Sequence, residues 1–100
     1  MGRFPQRSRN KKSVSMTYTA IIENKAQKEF LKLSPPHDNS VKKGINGLEK
    51  EPRPHGVKKL AGTKNGYRVR IGDYRILYTI DDRKKVVTVY RIRHRREVYR

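Results

Sequence analysis

From Tyr67 onward, apolar and polar positions alternate. Tyr67, Val69 and Ile71 fall on one side of an extended chain, and Arg68 and Arg70 on the other. That is the two-residue period of a strand. Gly72-Asp73 is a tight-turn signal. Tyr74–Ile80 repeats the pattern, with Tyr74, Ile76, Tyr78 and Ile80 opposite Arg75, Leu77 and Thr79. Asp81-Asp82-Arg83-Lys84 reads as a hairpin turn. Lys85–Arg93 is the most β-branched segment and is expected to be a central strand. A strict period puts Arg91 and Arg93 on the same face as Val87 and Val89. His94–Arg100 is then a tail.

Upstream the period changes. Thr17–Glu23 is a short strand-like run with imperfect alternation. Asn24 followed by Gln27 resembles a capping box. Ala26, Phe30 and Leu33 recur at helical spacing, so a helix is expected over 24–33, stopped by Ser34-Pro35-Pro36. Val41, Ile45 and Leu48 give a second helix over 37–49 one apolar stripe. Gly44 and Gly47 weaken that helix by about 1 kcal/mol each relative to alanine, and close approach of the two helices is their expected use. Glu51–Gly62 reads as a loop with two prolines and two glycines, anchored by Leu60.

The predicted order is β-α-α-β-β-β. The expected fold is α+β and two-layered, an antiparallel meander of the last strands packed against an α-hairpin. The hairpin covers the face carrying Tyr67, Val69, Ile71, Ile76 and Ile80. The other face, with Arg68, Arg70 and Arg75, is left open, basic and concave.

Composition sharpens the picture. One hundred residues make one small domain, and 33% hydrophobic content allows only a thin core. The formal net charge is +17, from 26 Lys and Arg against 9 Asp and Glu. Residues 1–15 carry five of the positive charges and read as a disordered basic extension, which leaves +12 for a domain over 16–100. Self-repulsion on this scale calls for an anionic partner. Nucleic acid ranks first, an acidic protein second and an anionic membrane third. The absence of cysteine excludes disulfides, thiolate metal sites and a cysteine nucleophile. No apolar run is long enough for a transmembrane helix or a secretory signal, so the chain reads as cytosolic.

Enzymatic motifs are scarce. His37, His55 and His94 show no metal-ligand spacing, and no glycine-rich phosphate loop precedes a helix. No metal or cofactor is expected. The open face is different. Arg68, Arg70 and Arg75 converge from adjacent strands, and Arg91, Arg93, Arg95 and Arg96 arrive from the last strand and tail. Forked guanidiniums match phosphate oxygens. The rings of Tyr74, Tyr78 and Tyr90 suit core packing better than base stacking. Tyr99, among Arg95, Arg96 and Arg100, does not suit the core. Guanidiniums around a phenol favour its ionised form. Tyr99 is thus a candidate base for a ribose 2′-OH, with arginines stabilising the phosphate in the transition state. Such chemistry takes RNA and leaves a cyclic phosphate.

The phrases KKLAG (58–62), YRVRIGDYRILYTID (67–81) and HRREVYR (94–100), with the β-α-α-β-β-β order, resemble the RelE/ParE toxin superfamily over about residues 16–100. The resemblance implies a type II toxin–antitoxin system. RelE-like members cut mRNA in the ribosomal A site, and ParE-like members poison DNA gyrase. By motif, Arg68 and Arg70 match two basic strand positions, Arg75 the arginine of GDYR, Arg95 the arginine after the last strand and Tyr99 the tyrosine of EVY. This set favours the RelE-like branch: a metal-independent, ribosome-dependent endoribonuclease. Arg75, Arg95 and Tyr99 are its expected catalytic residues, with His94 as the alternative base. Arg68, Arg70, Arg91, Arg93, Arg96, Lys58 and Lys59 are the expected RNA-binding set. Arginine in place of the usual lysine at 68 and 70 keeps phosphate binding but disfavours proton transfer there. A gyrase poison and a non-catalytic RNA-binding protein are the alternatives. The implied partners are ribosome, mRNA and an acidic RelB-like antitoxin. Because the chain ends one residue after Tyr99, an antitoxin is expected to cover the basic face or tail directly rather than displace a C-terminal helix.

Overall fold

The computed structural model describes residues 17–94, in which the alternating segments form one five-stranded sheet. In chain order the elements are β1 (Thr19–Ile22), α1 (Asn24–Leu31), α2 (His37–Gly47), β2 (Lys58–Lys59), β3 (Gly66–Ile71), β4 (Tyr74–Asp81) and β5 (Val86–His94). The strand order is β1-β5-β4-β3-β2. β3, β4 and β5 are the expected antiparallel meander, and β1 joins the outside of β5 in parallel, as the helical crossover allows. β5 is an interior strand, while β4 holds the centre. The addition is β2, inside the stretch expected to be loop. Its two residues pair with Tyr67 and Arg68, too few to leave a period in the sequence.

The core lies between the helices and one sheet face. Ala26, Val41, Ile45 and Leu48 meet Val69, Ile76, Tyr78, Ile80, Val87, Val89 and Ile92. Tyr78 is fully buried and donates its hydroxyl to the Pro52 carbonyl at 2.7 Å, and burial pushes its phenol above the ordinary value. Gly44 approaches β3 rather than α1, because a Cβ there would run into Cδ1 of Ile71 and lie 2.9 Å from its Cγ1. Nothing lies within 4 Å of a Cβ built at Gly47. The N-cap of α1 is Glu23, with no side-chain capping bond. Gln27 instead reaches back past it to donate to the Ile22 carbonyl at 2.7 Å.

The loop after α2 is held by polar contacts. Arg53 pairs with Asp82 at 2.9 Å, Tyr18 donates to the same carboxylate at 2.6 Å, and Arg53 Nε donates to the Tyr67 hydroxyl at 3.2 Å. The segment just before β1, the loop and the β4–β5 turn thus share one carboxylate. Hydrogen bonds from Arg53 and then Tyr18 hold Asp82 at about 2, below the usual carboxylate value. Val57 is the loop residue packed against the core; Leu60, the expected anchor, is half-buried and uses its N–H on the Gly66 carbonyl at 2.9 Å. Gly72 turns the β3–β4 hairpin at φ 60°, in the left-handed region glycine tolerates.

One departure decides what the open face carries. Val87 pairs with Ile80 and Val89 with Tyr78, but Arg91 pairs with Leu77 and Arg93 with Arg75. Leu77 and Tyr78 are neighbours, whereas Val89 and Arg91 are not, so Tyr90 is an extra residue, a β-bulge. The bulge resets the period. Val87 and Val89 face the helices, Ile92 replaces Arg91 in the core, and Arg91 and Arg93 turn to the open face. The strict period had put all four on one side. A bulge inserts a residue without any local mark in the alternation, so it passed unseen.

Candidate nucleic-acid interface

Strand register builds the open face in two rows. In one, Lys58 lies opposite Arg68, Arg68 opposite Leu77, and Leu77 opposite Arg91. In the next, Arg70 lies opposite Arg75 and Arg75 opposite Arg93. With strands about 4.8 Å apart and same-face residues about 7 Å apart along a strand, six cations occupy a patch of about 14 Å by 7 Å. Arg75 sits in the middle of its row and is only 6% exposed. A guanidinium largely withdrawn from water binds an oxyanion more strongly than an exposed one would.

The expected site residues divide. Arg68, Arg70, Arg75, Arg93 and Lys58 share the patch. Arg70 is exposed and donates Nε to the Gly72 carbonyl at 3.1 Å. Lys59 falls on the helix side of the register, opposite Tyr67. Its ammonium donates to the carbonyls of Thr63 (2.8 Å) and Lys64 (2.9 Å), and lies 5.9 Å from the Tyr67 ring centroid. It braces the loop before β3 and is not beside Lys58. Arg91 is on the patch but paired: Glu29 of α1 takes its Nη2 at 3.0 Å and its Nε at 3.1 Å. Sequence reading missed Glu29, because 62 residues separate the pair and no motif announces it.

His94 pairs with Tyr74 in the register and packs against that ring edge-on, 5.1 Å between centroids. Tyr74 packs against the core, so His94 lies on the helix side, across the sheet from Arg75 and Arg93. Arg95, Arg96 and Tyr99 lie outside the described residues, as do residues 1–15. Tyr74 and Tyr78 take the expected core positions. Tyr90 does not: it lines a groove of about 640 Å³ with Ile21, Thr79, Val86 and Thr88. Among the described residues no three His, Asp or Glu side chains are grouped to hold a metal ion, and no helix is long and apolar enough to cross a membrane.

A family model for the ParE toxin of type II toxin–antitoxin systems, parDE, matches residues 20–99. The chain belongs to this toxin family. Toxin RelG of Mycobacterium tuberculosis is 36% identical over 89 residues, 85% of this chain and 99% of RelG. A chain of the archaeal RelE–RelB complex from Pyrococcus horikoshii superposes with a TM-score of 0.72 at 33% identity, covering 80% of this chain and 97% of that one. The isolated E. coli RelE toxin gives a TM-score of 0.68 at 30% identity, covering 82% of this chain and 90% of RelE. Within the RelE/ParE superfamily the protein therefore stands on the RelE-like branch, as a RelE-family toxin of a type II toxin–antitoxin system.

Proposed function

We propose that this toxin is a ribosome-dependent endoribonuclease that cuts mRNA in the A site without a metal. The observation that carries the reading is the row Arg70–Arg75–Arg93, which sets three guanidiniums from three strands side by side on the open face. One phosphodiester bridges that row, with Lys58 and Arg68 binding the neighbouring phosphate. The ribose 2′-oxygen attacks the adjacent phosphorus, the P–O5′ bond breaks, the departing 5′-oxygen takes up a proton from water to leave a 5′-hydroxyl, and the upstream product ends in a 2′,3′-cyclic phosphate. Arg75, with Arg95, stabilises charge on the phosphoryl oxygens. Tyr99, the tyrosine of the EVY phrase, accepts the 2′-OH proton. The helix-side placement of His94 supports Tyr99 over it.

Ribosome dependence fits a site of cations without a deep pocket: the ribosome orients the mRNA, and the toxin supplies charge. The reading places the protein in the cytoplasm. The RelE–RelB complexes among its structural relatives support an acidic, RelB-like antitoxin as its partner, covering the basic face or the tail.

Purified toxin is expected to cut mRNA positioned on ribosomes and to leave free mRNA largely intact. Tyr99→Phe is expected to slow cutting strongly. Wild-type-like cutting by both Tyr99→Phe and His94→Ala would sink the assignment of the base. The family description keeps a second reading alive, a DNA gyrase poison. It predicts accumulated gyrase–DNA cleavage complexes with intact mRNA. Salt-sensitive RNA binding with neither effect would instead mark a non-catalytic RNA-binding protein.

A further inference from the structure

The bulge at Tyr90 puts Arg93 beside Arg75, and it needs holding. A one-residue slip of a strand moves every side chain to the other face. β1 ends at Ile22, opposite Val89, so the outer edge of β5 beyond that point has no strand neighbour. α1 runs there instead, and Glu29 takes the place of a strand. One carboxylate oxygen accepts the backbone N–H of Ile92 at 2.7 Å. The other accepts Nε of Arg91 at 3.1 Å and lies 3.0 Å from its Nη2. Both side chains are largely withdrawn from water, at 20% exposure for Glu29 and 26% for Arg91. Two consecutive residues just past the bulge are thus gripped by one carboxylate on a different element. Charge-assisted bonds of this kind are the stronger class.

We propose that Glu29 is a positioning residue of the RNA face. By gripping Ile92 and Arg91 it fixes the register of β5 after the Tyr90 bulge, and so holds Arg93 in line with Arg75. Arg91 then serves the register and not the RNA. The functional half of this inference rests on the endoribonuclease reading, and the register half does not.

The test uses the full chain, isotopically labelled, and three substitutions. Glu29→Gln keeps an oxygen for the Ile92 N–H; Glu29→Asp is one methylene short; Glu29→Ala removes the grip. In wild type, cross-strand NMR contacts are expected between Leu77 and Arg91, and the Ile92 amide is expected to exchange slowly. Glu29→Ala is expected to speed Ile92 exchange about tenfold or more while Val87 and Val89 stay protected. It is also expected to weaken the Leu77–Arg91 contacts. On ribosomes, cutting by Glu29→Ala is expected to fall on the order of tenfold to 100-fold, as a misplaced charge demands. Glu29→Gln, which has one acceptor oxygen for the Ile92 N–H but sets an NH2 against Arg91, is expected to fall between wild type and Glu29→Ala in both register and cutting. If Glu29→Ala does not fold, Glu29→Asp carries the same expectations in milder form.

Unchanged Ile92 exchange and Leu77–Arg91 contacts in the folded Ala or Asp variant would overturn the proposal. So would wild-type cutting by a variant in which fast Ile92 exchange and weakened Leu77–Arg91 contacts show the register to be lost. If wild type cuts no mRNA on ribosomes, the endoribonuclease reading fails, while exchange and contacts still decide whether Glu29 sets the register.

Discussion

The two faces of this sheet are made by the same three strands and obey opposite rules. The helix-covered face satisfies everything it buries: aliphatic side chains interlock, and the one phenol at its centre has a carbonyl to donate to. The open face gathers Arg68, Arg70, Arg75, Arg91 and Arg93, and even buries one of them. Like charges side by side oppose folding, so a face this rich in arginine is expected to serve an anionic partner. On the proposed reading, stability is invested on one side and function on the other, one residue apart along each strand. Substitutions on the two faces should therefore separate cleanly.

The largest separation is expected from the covered face. Ile76→Ala should lower unfolding free energy by about 2–5 kcal/mol, measured by chemical denaturation, with little change in cutting per folded molecule. Its strand neighbour gives the converse. Arg75→Ala should reduce single-turnover cutting on the order of 100-fold to 1,000-fold, the loss seen when one preorganised charge donor is removed, in a chain that still unfolds cooperatively. A loss of cutting no greater than the loss of folded protein would break the comparison.

Smaller effects sharpen it. Tyr78→Phe leaves the buried Pro52 carbonyl without its donor and should cost about 1–3 kcal/mol of stability, with cutting retained. Acid should act at the turn end of the sheet. The folded value of Asp82, about 2, is below its ordinary 3.8, so the folded state binds that proton more weakly than the unfolded chain. The stability it contributes is full above about pH 4 and is lost as pH falls through about 2. The gap in melting temperature between wild type and Asp82→Asn should therefore close on acidification over that window. The smallest expected change is in the salt dependence of RNA binding. Arg68→Gln should flatten the slope of log K against log salt by about 0.7, the value for one phosphate contact with a single strand. Arg91→Gln, at a position already neutralised by Glu29, should flatten it less.

Much of this was legible in the residues themselves. The two-residue period of 67–80 puts Arg68, Arg70 and Arg75 on one face, and the structure pairs Arg70 with Arg75 and sets Arg68 opposite Leu77 in the next row. The order β-α-α-β-β-β and the antiparallel meander follow from the same period, because short turns leave consecutive strands no other neighbours. What escaped was set by contacts between distant residues. Tyr90 bulges in a run of β-branched residues with nothing local to show it, and the face of Arg91 and Arg93 was misjudged for that reason. Gln27 bonds Ile22 and not a capping partner, since β1 runs directly into α1. Gly44 answers to Ile71, across the layer, and not to the neighbouring helix. His94 is the alternative base by motif, but the reset period turns it to Tyr74, on the helix side. Lys58 and Lys59 are neighbours in the chain and lie on opposite faces because two residues of β2 pair with β3.

The central claim is that the open face cuts RNA by making a ribose 2′-oxygen attack its own phosphate. The most direct measurement is cleavage of two mRNAs positioned on ribosomes, identical but for a single 2′-deoxy nucleotide on the 5′ side of the scissile bond. The ribose substrate should be cut by wild-type toxin to a 2′,3′-cyclic phosphate, and the deoxy substrate should stay whole at that position. Equal cutting of both, or neither cut while gyrase–DNA cleavage complexes accumulate, would contradict it.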